Sequence, residues 1–163
     1  MDFMEASATD EQITKFSLRA NDVIITKDSE TPDDIGIAAL VVEDIPGVIC
    51  GYHLSIVRPK NGFSGAFIKR LFDSSYVKAS WMTLANGVTR YGLGQYAIDN
   101  LKVPVPPYDE QIEIASHLNE LTNKIDILID KSKSSINFLK EHRKSLINAA
   151  ITGKIDAKEL TSK

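Results

Sequence analysis

DEQIEIASHLNELTNKIDILIDKSKSSINFLKEHRKSLINAAITG, residues 109–153, has no proline or glycine from Asp109 to Thr152, and Gly153 supplies a stop. A single helix of about 44 residues spans about 65 Å at 1.5 Å per residue. Ile114, Leu121, Leu128, Ser135, His142 and Ala149 share one heptad position, and Leu118, Ile125, Ser132, Leu139 and Leu146 lie four residues on. This is the spacing of a coiled-coil seam, widened on one side by Ile129, Ile136 and Ala150. A domain of about 100 residues has a radius of gyration near 13 Å, too small to hide such a stripe, so a partner helix is required. Burying each large apolar side chain contributes about 1.5 to 3 kcal/mol before entropy costs. The candidate interface is Ile114, Leu118, Leu121, Ile125, Leu128, Ile129, Ile136, Leu139 and Leu146. Ser132, Ser135 and His142 interrupt the seam, either as determinants of register or as a weakly packed patch.

Upstream, Lys102-Val103-Pro104-Val105-Pro106-Pro107 reads as an extended linker, since a residue before proline is pushed away from the α region. Asp22 to Lys27, Ile37 to Val42 and Tyr52 to Arg58 have the β-branched or alternating character of strands. Phe63, Phe67, Ile68, Leu71 and Phe72 form a helical stripe, and a second short helix is predicted over Tyr76 to Leu84. Asn86 to Gly94, with three glycines, reads as a loop. Residues 1–21 show no sustained period and read as a poorly ordered or loosely docked leader. The predicted class is α+β: a leader at 1–21, a small mixed sheet and helix domain at 22–107, a long helix at 108–153 and a tail at 154–163.

A hydrophobic content of 43% with 25% charged residues is that of a folded globular chain. No stretch is long and apolar enough to cross a bilayer, the start has no signal-peptide pattern, and a cytoplasmic location is expected. The lone Cys50 excludes an internal disulfide and reads as packing. His53, His117 and His142 lack metal-ligand spacing, and neither a metal nor a cofactor is expected. No P-loop, nucleophile elbow or His-Glu-x-x-His motif is present, so no catalysis is expected.

The net charge of −3 disguises an asymmetry. Asp22, Asp28, Glu30, Asp33, Asp34, Glu43 and Asp44 face only Lys27 between residues 22 and 44. Between residues 58 and 90, Arg58, Lys60, Lys69, Arg70, Lys78 and Arg90 face only Asp73. If a phosphate backbone binds, the middle third is where it does so; a solvated basic face is the other reading.

Pro106-Pro107-Tyr108-Asp109-Glu110-Gln111, followed by the long helix and by Ile151-Thr152-Gly153-Lys154-Ile155-Asp156, resembles the conserved regions of type I restriction-modification specificity subunits. Asn21 to Lys27, Ile56 to Lys60 and Ala85 to Arg90 resemble segments of their recognition domains, so the likeness covers Asn21 to Asp156. A full subunit of that family has two recognition domains and two long helices, whereas this chain has one of each, as in a half-subunit or fragment. Family domains also carry further strands before the segment matching Asp22 to Lys27. The resemblance implies a non-catalytic subunit that reads double-stranded DNA. It further implies antiparallel helices, here supplied by a homodimer reading a bipartite target, and partner modification and restriction subunits that use S-adenosylmethionine and ATP. Lys27, Lys60, Lys69, Arg70 and Lys78 are the candidate phosphate contacts. Asn86, Thr89, Arg90 and Tyr91 are candidate base readers, because Arg bonds guanine and Asn pairs adenine bidentately; turn stabilisation is their other role. Trp81 reads as core. The competing reading is a protein-interaction module or regulatory decoy that dimerises through the same helix.

Overall fold

Val23 and Ile25 point inward while Ile24 and Thr26 are half-buried, the alternation expected of a strand with one face on a core. This strand, β1 (Val23–Thr26), is the centre of a three-stranded antiparallel sheet, with β3 (Ala38–Leu40) on one side and β4 (Leu54–Val57) on the other. In register, Ile24 faces Ala39 and Ile56. Between β1 and β3 the chain forms β2 (Asp28–Ser29) and a short 3-10 turn, Pro32–Asp34. The computed structural model describes residues 3–155, so Asp156 of the closing motif and most of the expected 154–163 tail lie outside the described residues.

Two helices cover the sheet. In α2 (Gly65–Phe72) the Ser64 hydroxyl caps the start by accepting from Phe67 N–H, and Phe67 and Phe72 are buried. Phe63, the first residue of the predicted stripe, precedes the helix and is exposed. Ser74 caps α3 (Ser75–Leu84) in the same way, and Val77 and Trp81 of that helix are fully buried. Trp81 packs on Phe72, with ring centroids 4.8 Å apart, in a core with Val23, Ile25, Ile35, Leu93 and Ala97. Gly36 holds a φ of 74°, and a Cβ there would sit 2.1 Å from the Trp81 ring. The turn into β3 therefore needs glycine both for its backbone and for its space.

The segment read as a leader forms α1 (Asp10–Phe16). A reciprocal capping box starts it: Thr9 Oγ1 accepts from Gln12 N–H, and Gln12 Oε1 accepts from Thr9 N–H at 2.9 Å. No residue of α1 is buried, so caps rather than an apolar face sustain it, and a search for periodicity has nothing to find. The loop predicted over Asn86 to Gly94 contains β5 (Tyr91–Gly92), which pairs antiparallel with β2. It is followed by α4 (Gln95–Asp99), a single short helix that buries Ala97.

The predicted long helix is continuous as α5 (Tyr108–Ile151), with Asp109 and Glu110 in the first turn, where the helix dipole favours acids. The chain divides into two units, Met1–Leu118 and Asn119–Lys163. In the first unit, Gln111 and Ala115 of α5 are buried and Ile114 is half-buried. In the second, Leu121, Ile125, Leu128, Ile129, Ile136, Leu139 and Leu146 are all exposed. No helix among the described residues is long and apolar enough to cross a membrane.

Candidate functional site

The end of β1 ties three distant segments together. Lys27 N–H donates to the His53 carbonyl at 3.0 Å, and Leu93 N–H donates to the Lys27 carbonyl at 2.7 Å. Beside them, the ribbon of β2 and β5 brings Asp28 opposite Gly92 and Ser29 opposite Tyr91. The loop before β5 is closed at its neck by paired backbone bonds between Asn86 and Gly92, at 3.1 and 2.9 Å. Gly87, with a φ of 148°, lets the loop fold tightly, since a Cβ there would collide with the Arg90 carbonyl.

On this platform Asp28 Oδ1 accepts from Arg90 Nη2 at 2.9 Å and lies 2.5 Å from His53 Nδ1. Arg90 Nη2 and His53 Nδ1 thus converge on one carboxylate oxygen and lie 3.0 Å from each other. The Tyr52 and His53 rings lie 3.7 Å apart, and Tyr52 is exposed. The Arg90 hydrogen bond, only partly opposed by burial and aided by His53, holds the Asp28 carboxyl below its ordinary range. The same bond raises the Arg90 guanidinium. Half the Arg90 side chain remains exposed, so a cation with a fixed orientation is presented at the surface.

Of the candidate base readers, the structure gathers Asn86, Thr89, Arg90 and Tyr91 in this one loop and ribbon. Asn86 Nδ2 donates to the Leu84 carbonyl at 3.1 Å, which uses the side chain to close the end of α3. Thr89 is exposed and Tyr91 half-buried. The candidate phosphate contacts are more dispersed. Lys27 sits at the end of β1, and Lys60 is exposed in the turn before α2. Lys69 and Arg70, on α2, share Asp73 at 2.5 and 3.5 Å. Lys78 is exposed on α3.

Sequence reasoning weighed Tyr52 and His53 as strand-end DNA contacts or a buried pair but passed over Asp28, because it treated the acidic segment as a separate repulsive surface. Composition carried no signal that these acids face the basic segment. Asp22 does the same: fully buried, it accepts from Arg58 Nε at 2.8 Å and Arg58 Nη2 at 2.7 Å. Arg19 N–H adds a third bond at 2.9 Å. Burial pushes the Asp22 carboxyl up, but the Arg58 and Arg19 interactions outweigh it and leave it below its ordinary value. Cys50 is half-buried, and burial pushes its thiol up, which disfavours the reactive thiolate.

Gln111 gives the Pro-Pro-x-x-Glu-Gln motif a physical meaning. Its side chain is buried and fully used: Oε1 accepts from Ser64 N–H at 3.0 Å, and Nε2 donates to the Gly62 and Pro106 carbonyls at 3.1 and 2.9 Å. The first turn of α5 is thereby pinned to the turn before α2. Nearby, Ile114 and Leu118 line an open groove with Phe67, Leu71, Pro104 and Val105.

The small sheet domain thus presents Arg90 on a closed loop and is fastened, through the buried Gln111, to the first turn of a long helix. The chain belongs to the type I restriction modification DNA specificity domain family, whose sequence profile matches residues 6–137. That match contains every candidate contact of the domain and α5 as far as Asn137.

It is similar to the type I restriction enzyme EcoKI specificity subunit of Escherichia coli strain K12, with 26% identity over 140 residues, 84% of this chain and 29% of that protein. The StySPI specificity subunit of Salmonella potsdam is 25% identical over 135 residues, 81% of this chain and 28% of that protein. A putative type I MjaX specificity subunit of Methanocaldococcus jannaschii is 30% identical over 84 residues, 52% of this chain and 19% of that protein. The chain thus spans less than a third of the length of these relatives.

Proposed function

We propose that this chain reads a DNA sequence on behalf of a type I restriction-modification complex and has no catalytic activity of its own. The observation that carries the reading is Arg90, exposed, charged and oriented by Asp28 and His53 on a glycine-closed loop inside the family-matched domain. An arginine so held meets guanine O6 and N7 without first giving up conformational freedom, and such a pair discriminates by about 1 to 3 kcal/mol. Exposed lysines such as Lys60 and Lys78 set position through phosphates, which carry no sequence information. Methylation and cleavage then fall to modification and restriction subunits.

The exposed stripe of α5 supports self-association. Leu121, Ile125, Leu128, Ile129, Ile136, Leu139 and Leu146 stand on the helix in water, and a second copy laid antiparallel buries all of them. Two recognition domains held apart in this way read the two halves of a split target.

The test is reconstitution with a modification subunit, followed by mapping of methyl transfer on DNA of random sequence. Methylation confined to one bipartite motif is the expected result. Methylation that is absent, or independent of sequence, refutes the reading.

A further inference from the structure

The loop that carries Arg90 also carries an apolar side chain that the fold does not use. Val88 is 91% exposed, more than any other large apolar residue among those described. It lies in the bend between Gly87 and Arg90, inside the loop whose neck is the backbone pairing of Asn86 with Gly92. Val88 contributes nothing to the core, and a β-branched side chain has its preference in strands rather than bends. A lone exposed valine is ordinary on a protein surface. What distinguishes this one is its place, two residues from the arginine that Asp28 holds.

We infer that Val88 is a second specificity-determining residue, which reads the 5-methyl group of a thymine close to the guanine met by Arg90. The inference rests on the reading of this loop as a base reader, and adds a base that arginine does not select. Guanine offers O6 and N7 in the major groove, and thymine is the base whose edge in that same groove carries a methyl group. One loop in one groove can therefore meet both. Two residues span at most about 7 Å of chain, and successive bases are about 3.4 Å apart along the duplex. The thymine then lies within about two base-pair steps of the guanine, on either strand.

The loop is built to hold such a contact still. Its neck is fixed twice, by the Asn86–Gly92 pairing and by Asn86 Nδ2, which donates to the Leu84 carbonyl at 3.1 Å. Gly87 folds the chain so closely that the Arg90 carbonyl fills the space a Cβ would need. Valine is stiff at χ1, so it gives up little side-chain freedom when it meets a base. Use of Val88 as a wedge between base steps belongs to minor-groove binding, whereas an arginine on guanine O6 and N7 places the loop in the major groove. Tyr52, exposed and stacked beside His53, is the other apolar surface next to the Asp28 cluster and supplies the control.

Uracil in place of thymine removes the methyl group and leaves the pairing edge unaltered. The complex reconstituted with a modification subunit is titrated with duplexes of its motif in which each thymine in turn is replaced by uracil. One replacement, inside the window around the base pair that Arg90→Ala identifies, is expected to weaken binding about fourfold, the effect of one buried methyl group. Val88→Ser, at a site outside the core, is expected to weaken binding to the thymine duplex by a similar factor and to make it indifferent to that uracil. The guanine preference set by Arg90 is kept. Non-additivity of this kind identifies a direct contact. A motif with no thymine in the window, or uracil without effect there, overturns the inference and leaves the reading of Arg90 intact. Sensitivity to uracil that persists in Val88→Ser overturns the assignment to Val88, and its loss in Tyr52→Ala instead moves the contact to that ring. A complex whose base preference Arg90→Ala does not alter overturns the reading of the loop, and this inference with it.

Discussion

Arg90 and Asp28 are 62 positions apart, yet a single carboxylate oxygen joins them and also meets His53 Nδ1. On the proposed reading Asp28 would have two opposed effects on a bound duplex: its charge would repel phosphates, and its hydrogen bond would orient Arg90. The Asp28→Asn substitution separates them. Affinity for DNA of random sequence is expected to rise, because a negative charge is lost, while preference for the cognate base falls as Arg90 swings free. Arg90→Ala is expected to lose about 1 to 3 kcal/mol of discrimination at one base position. Binding to a panel of singly substituted duplexes measures both, and an unaltered panel profile for Arg90→Ala refutes its role as a reader. Asp22 and Arg58 show the same long-range pairing in a structural setting. The Asp22 carboxyl is held below its ordinary 3.8, so its contribution to stability is complete above that value and is lost as pH falls through the lowered folded value. Asp22→Asn is expected to cost about 3 kcal/mol at neutral pH and to flatten the acid limb of the stability curve. Thermal melts between pH 3 and 7 distinguish this from a simple loss of packing, which shifts the whole curve in parallel.

Among the elements, α5 is the one whose apolar stripe stands exposed in the single chain over Leu121 to Leu146. In the single chain Leu121 and Leu128 are exposed, so a charge placed there costs the isolated molecule little. In a paired seam the same charges are buried without partners. Leu121→Asp combined with Leu128→Asp is therefore expected to give a monomer with an unchanged domain melting temperature, and an undiminished dimer mass in light scattering places the interface elsewhere. Elements of this kind are legible in sequence because apolar residues recur at heptad spacing from Ile114 to Ala149, interrupted only by Ser132, Ser135 and His142, and no proline or glycine falls between Asp109 and Thr152. The core helices were legible for a similar reason, since Phe67, Phe72, Val77 and Trp81 recur at helical spacing and are buried. What escaped had no period to show. β2 and β5 are two residues each and exist because they pair with each other; α1 exists because of its capping box; α4 is too short to display a face. The motif ending in Gln111 was recognised as a pattern, but its bonds to Ser64 and Gly62 span nearly 50 positions, and no local propensity encodes contacts at that range.

For the molecule as a whole, the net charge of −3 and the basic middle third pose opposite expectations for a DNA partner. The ion pairs decide how much of that basic excess is available. Arg58 is committed to Asp22, Arg90 is oriented by Asp28, and Lys69 and Arg70 share Asp73. Lys60 and Lys78 remain exposed and form no ion pair among the described residues. Charges that already have a partner release few counterions when a phosphate arrives, so the salt dependence of binding is expected to reside mainly in these two lysines. Each phosphate neutralised contributes about 0.9 to the slope of log affinity against log salt concentration. Lys60→Ala with Lys78→Ala is expected to reduce that slope by nearly 2 and to weaken binding evenly across sequences. Lys69→Ala is expected to reduce it by well under 1, because Arg70 then takes Asp73 and the local charge changes less than the count suggests. Titrations over a range of salt concentrations give all three slopes, and a larger loss from Lys69→Ala than from the double variant means that DNA breaks the Asp73 pairs on binding and tracks α2 rather than the Lys60 turn and α3.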